Sequence, residues 1–289
     1  MRVIRVLVRL VAIVIAVLVL VAAVAIGRGY ALINQHFERP LAERTIAADS
    51  ASIARGAHLT SITCTGCHAG AGSTVLSGSD FNFAAEPTPK MGQLWAPNIT
   101  PGGVLRDYSD AELARALREG IRRDGSALMV MPSAGFRMLT DSDLDAVLAY
   151  LRSQPPDPRV VPARQLNVAA ALFIGLGLLP TSVQPAPVPT MAVAEGPTAE
   201  YGDYLVRLAD CRSCHGQALR GGSAAPGMTA PDIAGVADSV SAEVFDRALR
   251  GGISADGRPL DPSRMPWPLF KRFTDIEAAA VAAYVKSLP

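Results

Sequence analysis

Polar and apolar positions fall into three regimes along this 289-residue chain. The first is continuous. Arg2, Arg5 and Arg9 lead into an unbroken apolar run of 17 residues, Leu10 to Ile26, closed by Arg28. That length exceeds a signal-peptide core and reaches the lower limit for a bilayer-crossing helix. Ala23-Val24-Ala25 also fits a signal-peptidase site; the length favours an uncleaved anchor. On either reading the arginines stay cytoplasmic and the rest of the chain is exported.

The second regime is helical and occurs twice. ARALREGIRRDG (114–125) and LTDSDLDAVLAYLRS (139–153) answer to DRALRGGISADG (246–257) and FTDIEAAAVAAYVKS (273–287). Ser109 with Glu112, Thr140 with Asp143, and Thr274 with Glu277 have the spacing of capping boxes ahead of apolar-periodic runs. Gly120 and Gly251 sit where the middle helices should stop. Further helices are expected from about Ser52 to Cys64 and from about Thr198 to Cys211. Alternating β-branched runs are missing outside the first segment, so the fold class is all-α, with three main helices in each of two repeats. The third regime is proline-rich: residues 154–197 hold nine of the 22 prolines and enclose one apolar segment, LNVAAALFIGLGLL (166–179). Such a stretch is a semi-rigid strap, and its apolar segment, 14 residues long, is too short to span a membrane. It suits a helix packed on a domain or lying on the membrane. The expected organisation is an anchor or signal at 1–28, a juxtamembrane segment at 29–50, domains at 51–156 and 197–289, and the strap at 157–196.

Charge adds little. The formal net charge is +1, and without the four arginines of residues 1–28 it is −3, so nothing suggests nucleic-acid binding. Cysteine adds much more. The four cysteines fall in CTGCH (64–68) and CRSCH (211–215). Free thiols are unusual in an oxidising compartment. A thiol redox motif needs a thioredoxin-like βαβ context, which is absent. A single four-sulfur zinc site would leave His68 and His215 unexplained. Covalent haem explains the whole word: Cys64 and Cys67, or Cys211 and Cys214, share a helical turn facing one porphyrin edge, and the following histidine reaches iron.

Iron then needs a further ligand or an open position. Besides His68 and His215 the chain has only His36, just past the anchor, and His58, read as a surface or packing residue. Methionine is the natural alternative, a soft ligand that raises the potential. Met131 and Met265 hold equivalent positions, each 34 residues beyond a matched proline (Pro97, Pro231) and each followed by another (Pro132, Pro266). The following proline disfavours helix at the methionine, which suits a loop over the distal face. Met129 is the rival to Met131.

Both halves resemble class I cytochrome c domains: a helix ending in CxxCH, a distal-loop methionine, and a final helix containing AYL or AYV. The first half, through APNITP (96–101), SDAELARALREGIRRDG (109–125) and LTDSDLDAVLAYLRSQPP (139–156), is similar to the cytochrome subunits of membrane-bound alcohol and gluconate dehydrogenases. Those subunits carry three haem domains where this chain has two. The resemblance implies two tandem class I cytochrome c domains behind an N-terminal transmembrane helix, with two covalently bound haem c groups. It implies that the final helix crosses the first near Gly56 and Gly202, opposite Tyr150 and Tyr284. Asn98 and Asp232 would line the propionate side, Trp95 and Trp267 would pack near the porphyrins, and Arg118, Arg122 and Arg123 would offset propionate charge or meet an acidic partner. The expected role is single-electron transfer on the periplasmic side of the inner membrane. The donor would be a dehydrogenase or quinol-oxidising complex and the acceptor a terminal oxidase or soluble cytochrome. A dihaem peroxidase or thiosulfate-oxidising enzyme, or a fixed subunit of a respiratory complex, are the alternatives.

Overall fold

The computed structural model describes residues 2–85, 89–185, 190, 192–225 and 228–289; Pro187 and Pro189 of the strap lie outside the described residues. The apolar N-terminal run forms α1 (Arg2–Ile33), long and apolar enough to cross a membrane. It continues five residues beyond the expected boundary at 28, because its last turns pack on the strap.

The first repeat comprises α2 (Ser50–Thr63), α3 (Thr65–His68), a two-residue strand β1 (Gly92–Gln93), α4 (Asp110–Glu119), α5 (Ser133–Phe136) and α6 (Asp141–Ser153). The strap contributes β2 (Gln165–Leu166), paired antiparallel to β1, and α7 (Val168–Gly175). The second repeat comprises α8 (Ala199–Leu208), α9 (Cys211–His215), a hairpin of β3 (Arg220–Ala225) and β4 (Met228–Asp232), α10 (Ile233–Ser239), α11 (Ala242–Gly251), α12 (Trp267–Phe270) and α13 (Asp275–Lys286).

Local chemistry accounts for most helix ends. Complete capping boxes open α4 (Ser109, Glu112) and α13 (Thr274, Glu277). At α6 only half of the box forms. Thr140 accepts from the Asp143 N–H, but the Asp143 carboxylate turns away to other partners. Gly120 ends α4 in the left-handed region at φ 67°. In the second repeat the corresponding stop is Gly252 (φ 66°), one residue past the expected Gly251, which remains helical. Of two adjacent glycines, the one aligned with Gly120 takes the left-handed cap. The β3–β4 hairpin is a small addition to a mostly helical fold. Its glycine- and alanine-rich sequence lacks strand-type alternation, and backbone pairing rather than side-chain pattern defines it.

Two helix crossings set the architecture. A Cβ on Gly56 would sit 1.9 Å from the Ala146 carbonyl oxygen and 2.8 Å from Tyr150 Cβ. A Cβ on Gly202 would sit 2.0 Å from the Ala280 oxygen and 2.6 Å from Tyr284 Cβ. Thus α2 crosses α6, and α8 crosses α13, backbone against backbone, with Tyr150 and Tyr284 opposite the glycines as expected. The repeats share one core: Leu59, Ile62, Leu144 and Leu148 are continuous with Tyr201, Leu205, Val281 and Val285. A smaller cluster joins the end of α1, a first-repeat loop and α7 through Ile33, Met91, Leu94, Met129, Ala171 and Ile174.

Gly202→Ala must open its crossing and is expected to lower unfolding stability by about 1–3 kcal/mol, as overpacking does. At Gly251 an added Cβ meets only the Arg247 side chain, at 3.6 Å. Gly251→Ala should therefore be neutral or stabilising by up to about 1 kcal/mol. Thermal or denaturant unfolding of both variants separates the two effects.

Candidate functional site

A run of hydroxyl residues shapes the first pentapeptide. Ser61, Thr63 and Thr65 donate to the carbonyls of His58, Leu59 and Ser61, a back-bonding pattern that bends helices. Cys64 caps α2, and the chain restarts at once as α3. The second pentapeptide is reached differently: Asp210 adopts a left-handed conformation (φ 54°) between α8 and α9. Both routes deliver the same result. His68 and His215 are each only 7% exposed. His68 Nδ1 lies 2.8 Å from the Pro97 carbonyl oxygen, and His215 Nδ1 lies 2.9 Å from that of Pro231. A carbonyl only accepts, so Nδ1 carries the proton and Nε2 keeps its lone pair, the arrangement a metal-binding imidazole uses. Burial pushes the His68 imidazole below its ordinary pKa, although the bond to Pro97 opposes this.

All four cysteines are free thiols. Burial raises Cys64 to about 11 and Cys211 to about 12. Thiol redox motifs depend on depressed values, the opposite of what burial does at Cys64 and Cys211. Among the described residues no three His, Cys, Asp or Glu converge on a metal-sized site, which leaves the four-sulfur zinc alternative without support.

The two methionines recur in the same local geometry. Met131 O accepts from the Ser133 N–H at 2.8 Å, and Met265 O accepts from the Trp267 N–H at 2.7 Å. The intervening prolines, Pro132 (φ −78°, ψ 52°) and Pro266 (φ −77°, ψ 48°), form inverse γ-turns that open α5 and α12. Both methionines pack against the core that contains Cys64. Met129 does not: it is buried with Met91 and Leu94 in the cluster beside α7, and Val130, left-handed at φ 63°, separates it from Met131.

The remaining expected site residues divide. Trp95 Nε1 is buried with no hydrogen-bond partner among the described residues, an unmet donor. Trp267 instead donates to the Leu260 carbonyl at 3.2 Å and packs over Gly252. Asn98 has every polar atom engaged: its amide donates to the Asp157 and Arg159 carbonyls, and its oxygen accepts from Thr100. Asp232 caps α10 by accepting from the Gly235 N–H, the main reason its carboxyl lies below the usual range, and it also pairs with Arg220. Arg118 is tied to Asp141 at 2.9 Å and Arg123 faces Glu112, while Arg122 Nε is buried with no hydrogen-bond partner among the described residues. His36 bonds the Asp124 carbonyl at 2.8 Å, clasping the loop that precedes the methionines.

Comparison with known proteins follows these two units. Residues 51–151 match the family described as cytochrome c oxidase, cbb3-type, subunit III, and residues 199–289 match the cytochrome c family. Both stretches are cytochrome c domains. The chain is 33% identical over 177 residues to the cytochrome c subunit of a quinone alcohol dehydrogenase from Gluconacetobacter polyoxogenes, covering 58% of this chain and 36% of that protein. It is 36% identical over 132 residues to the fructose dehydrogenase cytochrome subunit of Gluconobacter japonicus, covering 40% and 27%. It is 40% identical over 108 residues to one of the subunits of nicotinate dehydrogenase from Pseudomonas putida, covering 36% and 9%. The matched stretches thus span at most little more than a third of these relatives.

A cytochrome c domain carries covalently attached haem, and the residues present fit it: a pair of free thiols on one turn, a buried imidazole with Nε2 available, and, in the first domain, the unmet Trp95 donor. The first pentapeptide and the helix leading to the second also lie at the boundary between the two domains. A Cβ on Gly66, inside the first pentapeptide, would sit 2.7 Å from Leu269 Cδ1 of α12. Arg272 donates to the Ser61 carbonyl and the Thr65 hydroxyl at 2.6 and 2.8 Å. Reciprocally, a Cβ on Gly135 of α5 would sit 2.2 Å from the Arg207 oxygen of α8. A small cavity beside Cys64 is closed by Phe136 and Val147 from its own domain and by Leu208 from the other.

A buried polar network completes the interface. His58 lies two residues after Gly56, and Tyr204 two after Gly202. His58 Nε2 contacts Glu277 at 2.8 Å; the Tyr204 hydroxyl donates to Asp143 at 2.6 Å. Each acid is the third residue of the other domain's final helix, so the contacts are related by an approximate two-fold. Arg55 binds Asp143 through two nitrogens (2.8 and 3.0 Å) and donates to the Tyr201 hydroxyl, which donates to Glu277. Burial pushes Tyr201 up to about 12, against the opposing pull of Arg55. His58 is therefore an interface residue and not a surface one. The signal in the sequence was its offset from the crossing glycine.

Burial alone would raise Glu277, but the His58 hydrogen bond and the Thr274 N–H outweigh it and hold the carboxyl below its ordinary 4.5. A depressed folded value contributes stability that is complete above the unfolded pKa and is lost as pH falls through the folded one. Glu277→Gln should therefore flatten the acid dependence of unfolding below about pH 4.5, by up to about 1.4 kcal/mol per pH unit. At neutral pH the same change should cost about 1.5–3 kcal/mol, the range for hydrogen bonds to a charged group. Denaturant unfolding across pH measures both.

Proposed function

We propose that this chain is a membrane-anchored dihaem cytochrome c that transfers single electrons on the periplasmic side of the inner membrane. Each domain holds one haem, through Cys64, Cys67 and His68 in the first and Cys211, Cys214 and His215 in the second. Met131 and Met265 complete the two iron coordination shells. The observation that carries this reading is the duplicated frame: a buried histidine bonded through Nδ1 to a proline carbonyl, and a methionine held in a γ-turn, at matched places in both repeats. The bound group supplies a one-electron iron couple. The chain's own residues attach it, exclude water from it and set its potential; no acid, base or nucleophile is called for. Trp95, whose buried Nε1–H is unmet, would be available to a propionate of the first haem.

Relatives named as cytochrome subunits of alcohol and fructose dehydrogenases, and the relative within nicotinate dehydrogenase, support a dehydrogenase as electron donor and membership of a complex with it. A terminal oxidase or soluble cytochrome is the acceptor in this reading. Helix α1 supplies the anchor.

Potentiometric titration followed by visible spectra tests the ligands. Met131→Ala and Met265→Ala should each shift one haem, lowering its potential on the order of 100 mV within the roughly 0.8 V that axial ligands control. Met129→Ala should leave both potentials close to the parent. An unshifted first haem in Met131→Ala would remove Met131 from the coordination shell. Parent haems already high-spin in the ferric state and reactive with peroxide would favour the enzyme reading.

A further inference from the structure

We infer that α7 and the turn after it form a second membrane-contact element, a foot whose exposed apolar face rests in the outer interfacial layer of a lipid bilayer and holds the first cytochrome c domain nearest the membrane. The inference rests on α1 being a membrane anchor. Its basis is depth. Helix α7 crosses α1 through small residues four apart on both sides: a Cβ on Gly29 would sit 1.8 Å from the Ala171 oxygen, and one on Gly175 would sit 1.7 Å from the Ala25 oxygen. Ala25 and Gly29 bracket Ile26, the last residue of the unbroken apolar run, and Arg28, which closes it. So α7 runs antiparallel to the end of α1, and its C-terminal end lies within about one helical turn, ~5 Å, of the level where α1 leaves the hydrocarbon. Arg28 itself donates to the Gly175 carbonyl at 2.7 Å, a cation at the carbonyl end of α7.

At that level the turn after α7 presents apolar surface outward: Leu176 is 47% exposed and Leu178 66%, and Val168 at the start of α7 is 54% exposed. Val168 and Leu176 lie two turns apart, on a face one residue round from the Ala171–Gly175 contact. From Gln165 to Ala194 no residue is charged. The opposite side of α7 is covered: Ala170, Ala171 and Ile174 are buried with Met91, Leu94 and Met129 of the first domain. An uncharged apolar face fixed at the exit level of a transmembrane helix adjoins lipid headgroups and the first methylenes, where such surface is stable.

The test uses the haem-loaded full chain, one molecule per phosphatidylcholine nanodisc, so that neither a second copy nor another protein can cover the face. Single cysteines are introduced by Leu178→Cys, by Val160→Cys (a strap position 90% exposed) and by Val14→Cys (mid-α1), and labelled with a water-soluble maleimide. Low polarity suppresses the reacting thiolate, so Leu178→Cys should label about tenfold more slowly than Val160→Cys or slower still. Val14→Cys should be protected. Equal rates for Leu178→Cys and Val160→Cys, with Val14→Cys protected, would overturn the foot and leave the anchor standing. Rapid labelling of Val14→Cys would remove the anchor and the foot with it.

Discussion

The closest backbone contacts between helices of each domain, Gly56 on Ala146 and Gly202 on Ala280, are the constraint from which the rest of the structure follows. Any side chain at these positions would push the first and final helices apart. With hydrogen there instead, residue offsets along the first helix acquire fixed meanings. One residue before the glycine, Arg55 and Tyr201 reach the interdomain surface; two after, His58 and Tyr204 reach the opposite domain's final helix. Eight and nine residues after the glycines come Cys64 and Cys211, at the start of each pentapeptide. The crossing therefore positions both the attachment site and the contact that locks one site to the other.

A second constraint acts at the histidines. A buried imidazole needs its ring N–H satisfied, and in both domains a proline carbonyl does this, from Pro97 and Pro231. These carbonyls belong to APNI (96–99) and APDI (230–233), two matching segments of the repeats whose recurrence is thus a matter of hydrogen bonding to the ring. Asn98 and Asp232, the residues that follow, serve those loops differently. Asn98 staples its loop to the strap through two backbone carbonyls, whereas Asp232 caps a helix. Matched positions in a repeat share backbone duty more faithfully than side-chain duty.

This difference explains what could be read in advance. The main helices, most of their capping residues and the matched methionines depend on local chemistry or exact spacing and were visible as repeated words, whereas the crossing glycines followed from the resemblance to cytochrome c domains. The half-formed box at Thr140 was not visible, because its outcome depends on Arg55 and Tyr204, which compete for the Asp143 carboxylate across distances of 88 and 61 residues. The β3–β4 hairpin was invisible for a related reason: its backbone pairs without the side-chain alternation that marks a strand. The interdomain network was encoded, but as a relation between two repeats, and reading it requires knowing that they face one another.

The two domains share a frame yet are dressed unequally. The segment following α1 lies along the first domain, through His36 on Asp124, the Phe37 N–H on the Gly125 carbonyl at 2.8 Å, Arg39 on Glu119 at 2.8 Å and Arg44 on Asp141 at 3.0 Å. The strap lies there too: Arg159 pairs with Asp80 at 2.6 Å, β2 pairs with β1, and Gln184 N–H donates to the Glu119 carbonyl at 2.9 Å. The strap is thus less a tether between domains than a wall of the first one. The second domain carries its cladding internally, as the β3–β4 hairpin folded beside its pentapeptide, where a Cβ on Gly222 would sit 2.7 Å from the Cys214 oxygen. Two copies of one frame become non-equivalent through what is laid over them, and the covering of the first is continuous with the helix that leads to the membrane.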